Sequence, residues 1–411
     1  MVSTDKVSIL SLYRVLHLLI LHFILGFSME EVVVIVGAGP SGLATFACLK
    51  QLNIPSIILE REDCHASLWK KRAYDRLKLH LAKQFCSLPH MPYPPNTPTF
   101  VPRAKFVEYI DSYVEKFDIN PKCNRSVESA VYDDHEAKWK IEVKNLVTGE
   151  PEHYVATFLV VATGENSKGF IPKIPGIESF AGDILHSSEF KSGKEYNGKK
   201  VLVVGCGNSG MEIAYDLSNH GASTSIVIRS PFHIVTKEMI WLGMNLLNYL
   251  PLWLVDSITL ALARLAYGNL DKYGIHRPSG GPFELKVKLG RSPVIDVGTV
   301  AKIKQGIIKV FPEIMKIEKD SIQFNNGDTE QFDALVFATG YQSTANNWLK
   351  DFNYILGKDG MPKNKFPSHW KGTNAVYCTG LSRRGLAGVS ADAQKVANDI
   401  AMIFKAEKRH N

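Results

Sequence analysis

The residues best placed to do chemistry in this chain are two glycine-rich turns. Gly37-Ala38-Gly39-Pro40-Ser41-Gly42 and Gly205-Cys206-Gly207-Asn208-Ser209-Gly210 share the spacing G-x-G-x-x-G. A turn of this kind between a strand and a helix suits a pyrophosphate. The first glycine allows the tight turn, and the second keeps a side chain out of the phosphate's way. The third lets the helix lie close to the strand, and the helix N-terminus offers N–H groups and partial positive charge. Glu60 follows Gly42 by 18 residues, where a carboxylate accepts from the hydroxyls of an unphosphorylated ribose. Arg229 follows Gly210 by 19 residues and precedes Ser230. A guanidinium there pairs with a 2′-phosphate that a carboxylate would repel. The first turn therefore predicts an FAD site of Gly37, Gly39, Pro40, Ser41, Gly42 and Glu60. The second predicts an NADPH site of Gly205, Gly207, Asn208, Ser209, Gly210, Arg229 and Ser230. Asn208 and Ser209 read equally as helix caps and as phosphate ligands. Trp69, in the loop past Glu60, reads as core packing or as a flavin contact.

The elements around both turns have the form this chemistry requires. VVVIV (Val32–Val36) and KKVLVVG (Lys199–Gly205) are β-branched runs, as in parallel strands buried on both faces. Each leads through its turn into a helical stretch and then a second strand, SIILE ending at Glu60 and TSIVI before Arg229. FLVVATG (Phe158–Gly164) and ALVFATG (Ala334–Gly340) echo each other further along. The expected fold is α/β, with two dinucleotide-binding, Rossmann-like domains. The FAD domain covers 30–165 and 330–411, and the NADPH domain, 166–329, is inserted into it.

Composition narrows the class. A hydrophobic fraction of 45% and a charged fraction of 22% fit an ordinary globular chain and exclude a disordered or polytopic membrane protein. The net charge of +7 is spread without a basic block, which favours anionic small ligands and argues against nucleic acid. The six cysteines include no C-x-x-C pair, so a redox dithiol, a metal site and a disulfide framework are all disfavoured. Residues 1–29 form an apolar extension. Its run Val7–Phe27 has about the length of a membrane span, interrupted by Arg14, His17 and His22. No small-x-small site precedes Ser28, which disfavours a cleaved signal peptide. A membrane anchor and a surface-packed extension both fit, so the expected location is cytoplasmic or the cytosolic face of the endoplasmic reticulum, with membrane contact through 7–27.

Two facing dinucleotide sites form a hydride relay from nicotinamide to flavin. Oxygen is an acceptor that needs no protein redox group, because a reduced flavin itself forms a C4a-(hydro)peroxide. At this point the chain resembles a known family. Phe180–Phe190 (FAGDILHSSEF) matches the FxGxxxHxxx(Y/F) signature of flavin-containing monooxygenases. RLKLH…KQFC (Arg76–Cys86), ATGEN (Ala162–Asn166), GCGNSGME (Gly205–Glu212), PVIDVGT (Pro293–Thr299), FATGY (Phe337–Tyr341) and RGLAGVSADA (Arg384–Ala393) are similar to the plant YUCCA-type members. The resemblance implies NADPH- and O2-dependent oxidative decarboxylation of indole-3-pyruvate to indole-3-acetate, the auxin hormone. Oxygenation of N or S atoms of small molecules is the alternative. Phe190 stands where Baeyer–Villiger enzymes carry Trp, which disfavours ketone insertion.

The resemblance leaves few catalytic side chains to find. Asn166 and His186 are the candidates, with His186 read mainly as an organiser. The chain departs from the family in three places. Ala82 replaces the usual proline, no Asn occurs between Leu77 and Cys86, and Gly380 is followed by Leu381 rather than Asp, although Asp392 is nearby. Arg264, Arg277 and Lys237 are candidates for the substrate carboxylate. The apolar stretch Met239–Asn269 reads as helices, either buried or touching a membrane.

Overall fold

The computed structural model describes residues 28–410, so the apolar run 7–27 lies outside the described residues. Two sheets carry the molecule. In the first, strand Met29–Val36 runs between Ser56–Leu59 and Pro151–Val161, parallel to both. Val33, Val34 and Ile35 have no exposed surface, as a strand covered on both faces requires. Strand Pro151–Val161 is the pivot. Its first half pairs antiparallel with Lys138–Asn145, and its last three residues pair parallel with Val376–Cys378. The C-terminal helix Gly385–His410 then lies against helix Pro40–Gln51.

The second sheet has five parallel strands, in the order Ile308–Phe311, Ser223–Val227, Lys200–Val204, Ala334–Phe337, Asp183–His186. The strand Ala334–Phe337 belongs here. The chain therefore crosses back to the first sheet after Phe337, later than the boundary at 330. The reason is that each glycine turn needs a third strand beside its first, and ALVF is the third strand of the second unit, as FLVV is of the first.

The stretch Met239–Asn269 forms helices Lys237–Leu246 and Leu252–Tyr267, which pack with each other and with Pro282–Leu289. Buried Asp256 accepts from the N–H groups of Phe283 (2.8 Å) and Glu284 (3.0 Å), capping that third helix. Trp253 and Leu265 stay exposed, so of the two readings, buried or membrane-touching helices, full burial does not hold. Among the described residues no helix is long and apolar enough to cross a membrane.

Candidate active site

The two glycine turns repeat each other almost atom for atom. Gly37 and Gly205 adopt φ of +114° and +110°, a conformation that side chains rarely take. A Cβ on either would stand 2.6 Å from a carbonyl oxygen, that of Ala162 or of Ala338. Those carbonyls belong to the two Ala-Thr-Gly segments, so the echo noted in the sequence has a packing cause. Ala162 and Ala338 also donate their N–H groups to Val36 and Val204, at 3.0 and 2.9 Å. A Cβ on Gly42 or Gly210 would lie 1.9 Å from the oxygen of the turn's first glycine, so helix and strand approach too closely for any side chain. Gly39 and Gly207, by contrast, face open space, with nothing within 4 Å of where a Cβ would stand. This is the cradle a pyrophosphate would occupy.

A cavity of about 460 Å3 runs along the first turn. Gly37, Gly39, Pro40, Ser41, Glu60, Trp69 and Asn166 all line it, and Gly42 sits just behind, against the strand. Glu60 is buried, and its carboxylate accepts from the N–H groups of Ala38 (2.6 Å) and Glu62 (2.9 Å). Burial raises its pKa while those two bonds oppose the rise. A carboxylate has about four acceptor positions, so some remain for ribose hydroxyls. Trp69 packs edge-on against Phe106 at 4.5 Å and also lines the cavity, where it could meet a flavin. Thr163 Oγ1, in the same lining, is buried without a hydrogen-bond partner among the described residues. A ligand in the cavity would satisfy it. These features fit FAD: Gly39–Ser41 would hold its phosphates and Glu60 would accept from its ribose hydroxyls.

Sequence reasoning missed one wall of this cavity. Arg125–Glu128, Thr344, Asn347 and Trp348 complete it near Glu60. They reach it from a β-hairpin and a short late helix, Ala345–Trp348, and no local pattern marks them. Asp392 is fully buried, held by His369 Nε2 at 2.9 Å, and it accepts from Gly380 N–H at 3.2 Å. Its role is to brace the Gly380 turn.

At the second turn the side chains divide. Asn208 Oδ1 accepts from Ile295 N–H at 2.7 Å, and its Nδ2 donates to the Pro293 carbonyl at 3.4 Å. That side chain therefore ties the turn to the PVIDVGT strand and is not free for a phosphate. Its backbone N–H, at the helix start with that of Ser209, remains available. Arg229 and Ser230 are exposed at the end of the neighbouring strand. Among the described residues the Arg229 guanidinium forms an ion pair only with Glu313, at 3.3 Å. A 2′-phosphate has open access to it.

Two stretches singled out by the resemblance meet across the sheets. His80 Nε2 lies 2.8 Å from the buried Glu212 carboxylate, and the Arg76 guanidinium stacks 4.5 Å over Tyr215. The RLKLH segment thus docks on the helix that opens the second turn.

His186 is placed otherwise than a catalytic group would be. Ser188 N–H donates to its Nδ1 at 3.2 Å, which leaves Nε2–H to donate to the Gly340 carbonyl at 3.0 Å. Burial lowers its pKa, so the neutral ring is favoured. It lies outside the cavity lining and pins the second Ala-Thr-Gly turn instead. We expect His186→Ala to cost about 1–3 kcal/mol of stability, read as a lower Tm, with flavin reduction by NADPH within about twofold in the folded protein. A neutral buried His supports the fold above its unfolded pKa near 6.5 and withdraws that support as pH falls below it. The His186→Ala protein should therefore lose less stability on acidification than the wild type. The carboxylate candidates fare no better: Arg277 donates to the Gly268 carbonyl and Lys237 sits over Phe100. None of Arg264, Arg277 and Lys237 lines the cavity.

Residues 30–371 match the family model FMO-like, described as flavin-binding monooxygenase-like. The chain belongs to that family. Within this flavin-binding monooxygenase family, the chain is 55% identical to the probable indole-3-pyruvate monooxygenase YUCCA10 of Arabidopsis thaliana, over 93% of this chain and 100% of that one. It is 45% identical to the indole-3-pyruvate monooxygenase YUCCA6 of the same plant, over 92% of this chain and 91% of that one. The flavin monooxygenase fold is also that of a cyclohexanone monooxygenase from Rhodococcus sp. Phi1 bound to NADP+. That match has a TM-score of 0.69 at 15% identity and covers 92% of this chain and 85% of the other. The α/β architecture with two Rossmann-like units is thus the family's own.

Proposed function

We propose that this flavin monooxygenase uses FAD, NADPH and O2 to convert indole-3-pyruvate to indole-3-acetate and CO2, a step of auxin synthesis. NADP+ and water are the other products, so one oxygen atom enters the acid and the other leaves as water. The likeness to indole-3-pyruvate monooxygenases along the full length of one relative carries this reading. Bound FAD supplies hydride acceptance from the nicotinamide and activation of oxygen. The chain's own residues seat the cofactors. The Gly39 turn and Glu60 hold the flavin nucleotide, and the Gly207 turn and Arg229 hold NADPH. The His80–Glu212 and Arg76–Tyr215 contacts fix the two units against each other.

The test is product analysis under 18O2 with purified enzyme and NADPH. Indole-3-acetate carrying one labelled oxygen, with matching CO2 release, is the expected result. An amine or thioether oxygenated while indole-3-pyruvate is left intact would establish N- or S-oxygenation instead. We further propose a cytoplasmic enzyme that contacts the cytosolic face of the endoplasmic reticulum through residues 7–27, supported by the apolar run there. Membrane fractionation with and without that segment checks this, and an unchanged soluble fraction would refute it.

A further inference from the structure

The three packed helices between residues 237 and 291 carry a face that neither cofactor uses. No charged residue stands between Glu238 and Asp256, and that run contains Trp241, Tyr249 and Trp253. It folds as a hairpin, with Lys237–Leu246 turning into Leu252–Tyr267. The turn of the hairpin is not packed away. Leu247, Tyr249 and Trp253 are all exposed, Tyr249 to 85% and Trp253 to 68%. Large apolar side chains left in water forgo the gain of burial, and a group of them at one place marks an interaction surface.

One short helix joins this turn to a basic edge. Trp253 stands one turn before Asp256 on the same side of its helix, and Asp256 caps the start of Pro282–Leu289. That helix has 8 residues, a length of about 12 Å. Val287, Lys288 and Leu289 are exposed along it. At its far end Gly290 lies against Arg383, and a Cβ on Gly290 would stand 2.7 Å from the arginine's Cδ. Arg383 pairs with Asp359 at 3.1 Å. The next residue of each segment, Arg291 and Arg384, is exposed and forms no ion pair among the described residues; Arg384 lies 4.2 Å over the exposed ring of Phe366. Apolar and cationic side chains therefore share one face, within the length of a two-turn helix.

Charge decides what covers it. Residues 237–291 hold seven lysines and arginines against four acids. Asp256 is buried, and Glu238, Asp271 and Glu284 pair with Lys237, His276 and Lys288. A second copy of this chain would set the same positive surface against itself, because an isologous contact uses one patch twice. An anionic lipid surface complements it. Trp and Tyr settle at the headgroup level, and Lys and Arg attract acidic headgroups. We infer that this face docks on the anionic headgroup layer of a membrane, with Tyr249 and Trp253 entering the interface and Arg291 and Arg384 meeting the headgroups. The contact is a lateral one, since among the described residues no helix is long and apolar enough to cross a membrane. It belongs to the folded body, apart from the contact proposed for residues 7–27, and does not depend on the substrate.

The test uses full-length holoenzyme and vesicles of phosphatidylcholine, with and without phosphatidylserine. Wild-type protein should sediment with the phosphatidylserine vesicles, and its tryptophan fluorescence should fall when their acyl chains are brominated. Trp253→Phe keeps an apolar ring there, so binding should persist while much of that quenching disappears. Tyr249→Ser with Trp253→Ser should weaken vesicle binding by about tenfold or more. Arg291→Glu with Arg384→Glu should weaken it by a similar factor on phosphatidylserine vesicles. Both double variants change exposed side chains, so FAD content and Tm should stay near those of wild type. Vesicle binding with no Trp253-dependent quenching, as residues 7–27 alone would give, overturns the inference. Binding that ignores the charge reversals also overturns it, as does an absence of binding. Elution as a dimer that Trp253→Ser dissociates would assign the face to a second copy and overturn it too.

Discussion

Gly39→Val should purify folded and colourless. A Cβ there meets no protein atom within 4 Å, because the space beyond Gly39 is open. What it fills is the volume over the helix N-terminus where the pyrophosphate must lie. FAD content should fall from near one per chain to below about a tenth, since overlap with a phosphate forfeits the close approach on which the site depends. The Tm should stay near that of wild-type protein stripped of flavin. Gly42→Ala makes the contrast. Its Cβ would lie 1.9 Å from the Gly37 carbonyl oxygen, so helix and strand are forced apart and the fold itself suffers. One glycine therefore reports on ligand and the other on packing. A yellow Gly39→Val protein, or equal unfolding in both variants, would be incompatible with this assignment. Absorbance together with thermal melting decides it.

The second large effect is on coenzyme choice. Arg229→Ala should weaken NADPH by about ten- to hundredfold, the equivalent of roughly 1.5–3 kcal/mol for lost charge-assisted hydrogen bonds. NADH, which has no 2′-phosphate, should be affected by less than about threefold. Stability should hardly change. Among the described residues the ion pair lost is the exposed one with Glu313, and exposed pairs contribute about 0–1 kcal/mol. Flavin reduction measured anaerobically against each coenzyme separates the two constants. Equal loss for NADPH and NADH would show that Arg229 positions the turn and does not read the phosphate.

The parts of this molecule legible in its sequence are those set by local physics. The buried strands announce themselves as VVVIV and KVLVV, and the turns are legible because only glycine tolerates the φ at Gly37 and Gly205 and the close contacts at Gly42 and Gly210. Glu60 and Arg229 follow from the fixed length of a helix and a strand after each turn. Where several distant segments converge, the sequence is silent. Arg125–Glu128 reach the cavity through pairing with Lys138–Asn145, itself paired with Pro151–Val161, and Thr344–Trp348 through packing on the strand Arg125–Asp133. Asn208 shows a different limit. A helix-start Asn looks the same whether it faces a phosphate or a neighbouring strand, and here it faces the strand. The placement of ALVF is hard to read for a related reason, because the near-identical FLVV and ALVF each lie beside the first strand of their own sheet.

A single turnover decides whether the reduced flavin held by this chain delivers oxygen to the 2-oxo acid. Holoenzyme is reduced without oxygen by one equivalent of NADPH, then mixed with O2 and indole-3-pyruvate, and the products are counted against flavin. Close to one indole-3-acetate and one CO2 are expected for each flavin reoxidised, with little hydrogen peroxide. Flavin reoxidised with a full yield of hydrogen peroxide and untouched indole-3-pyruvate would contradict the proposed function.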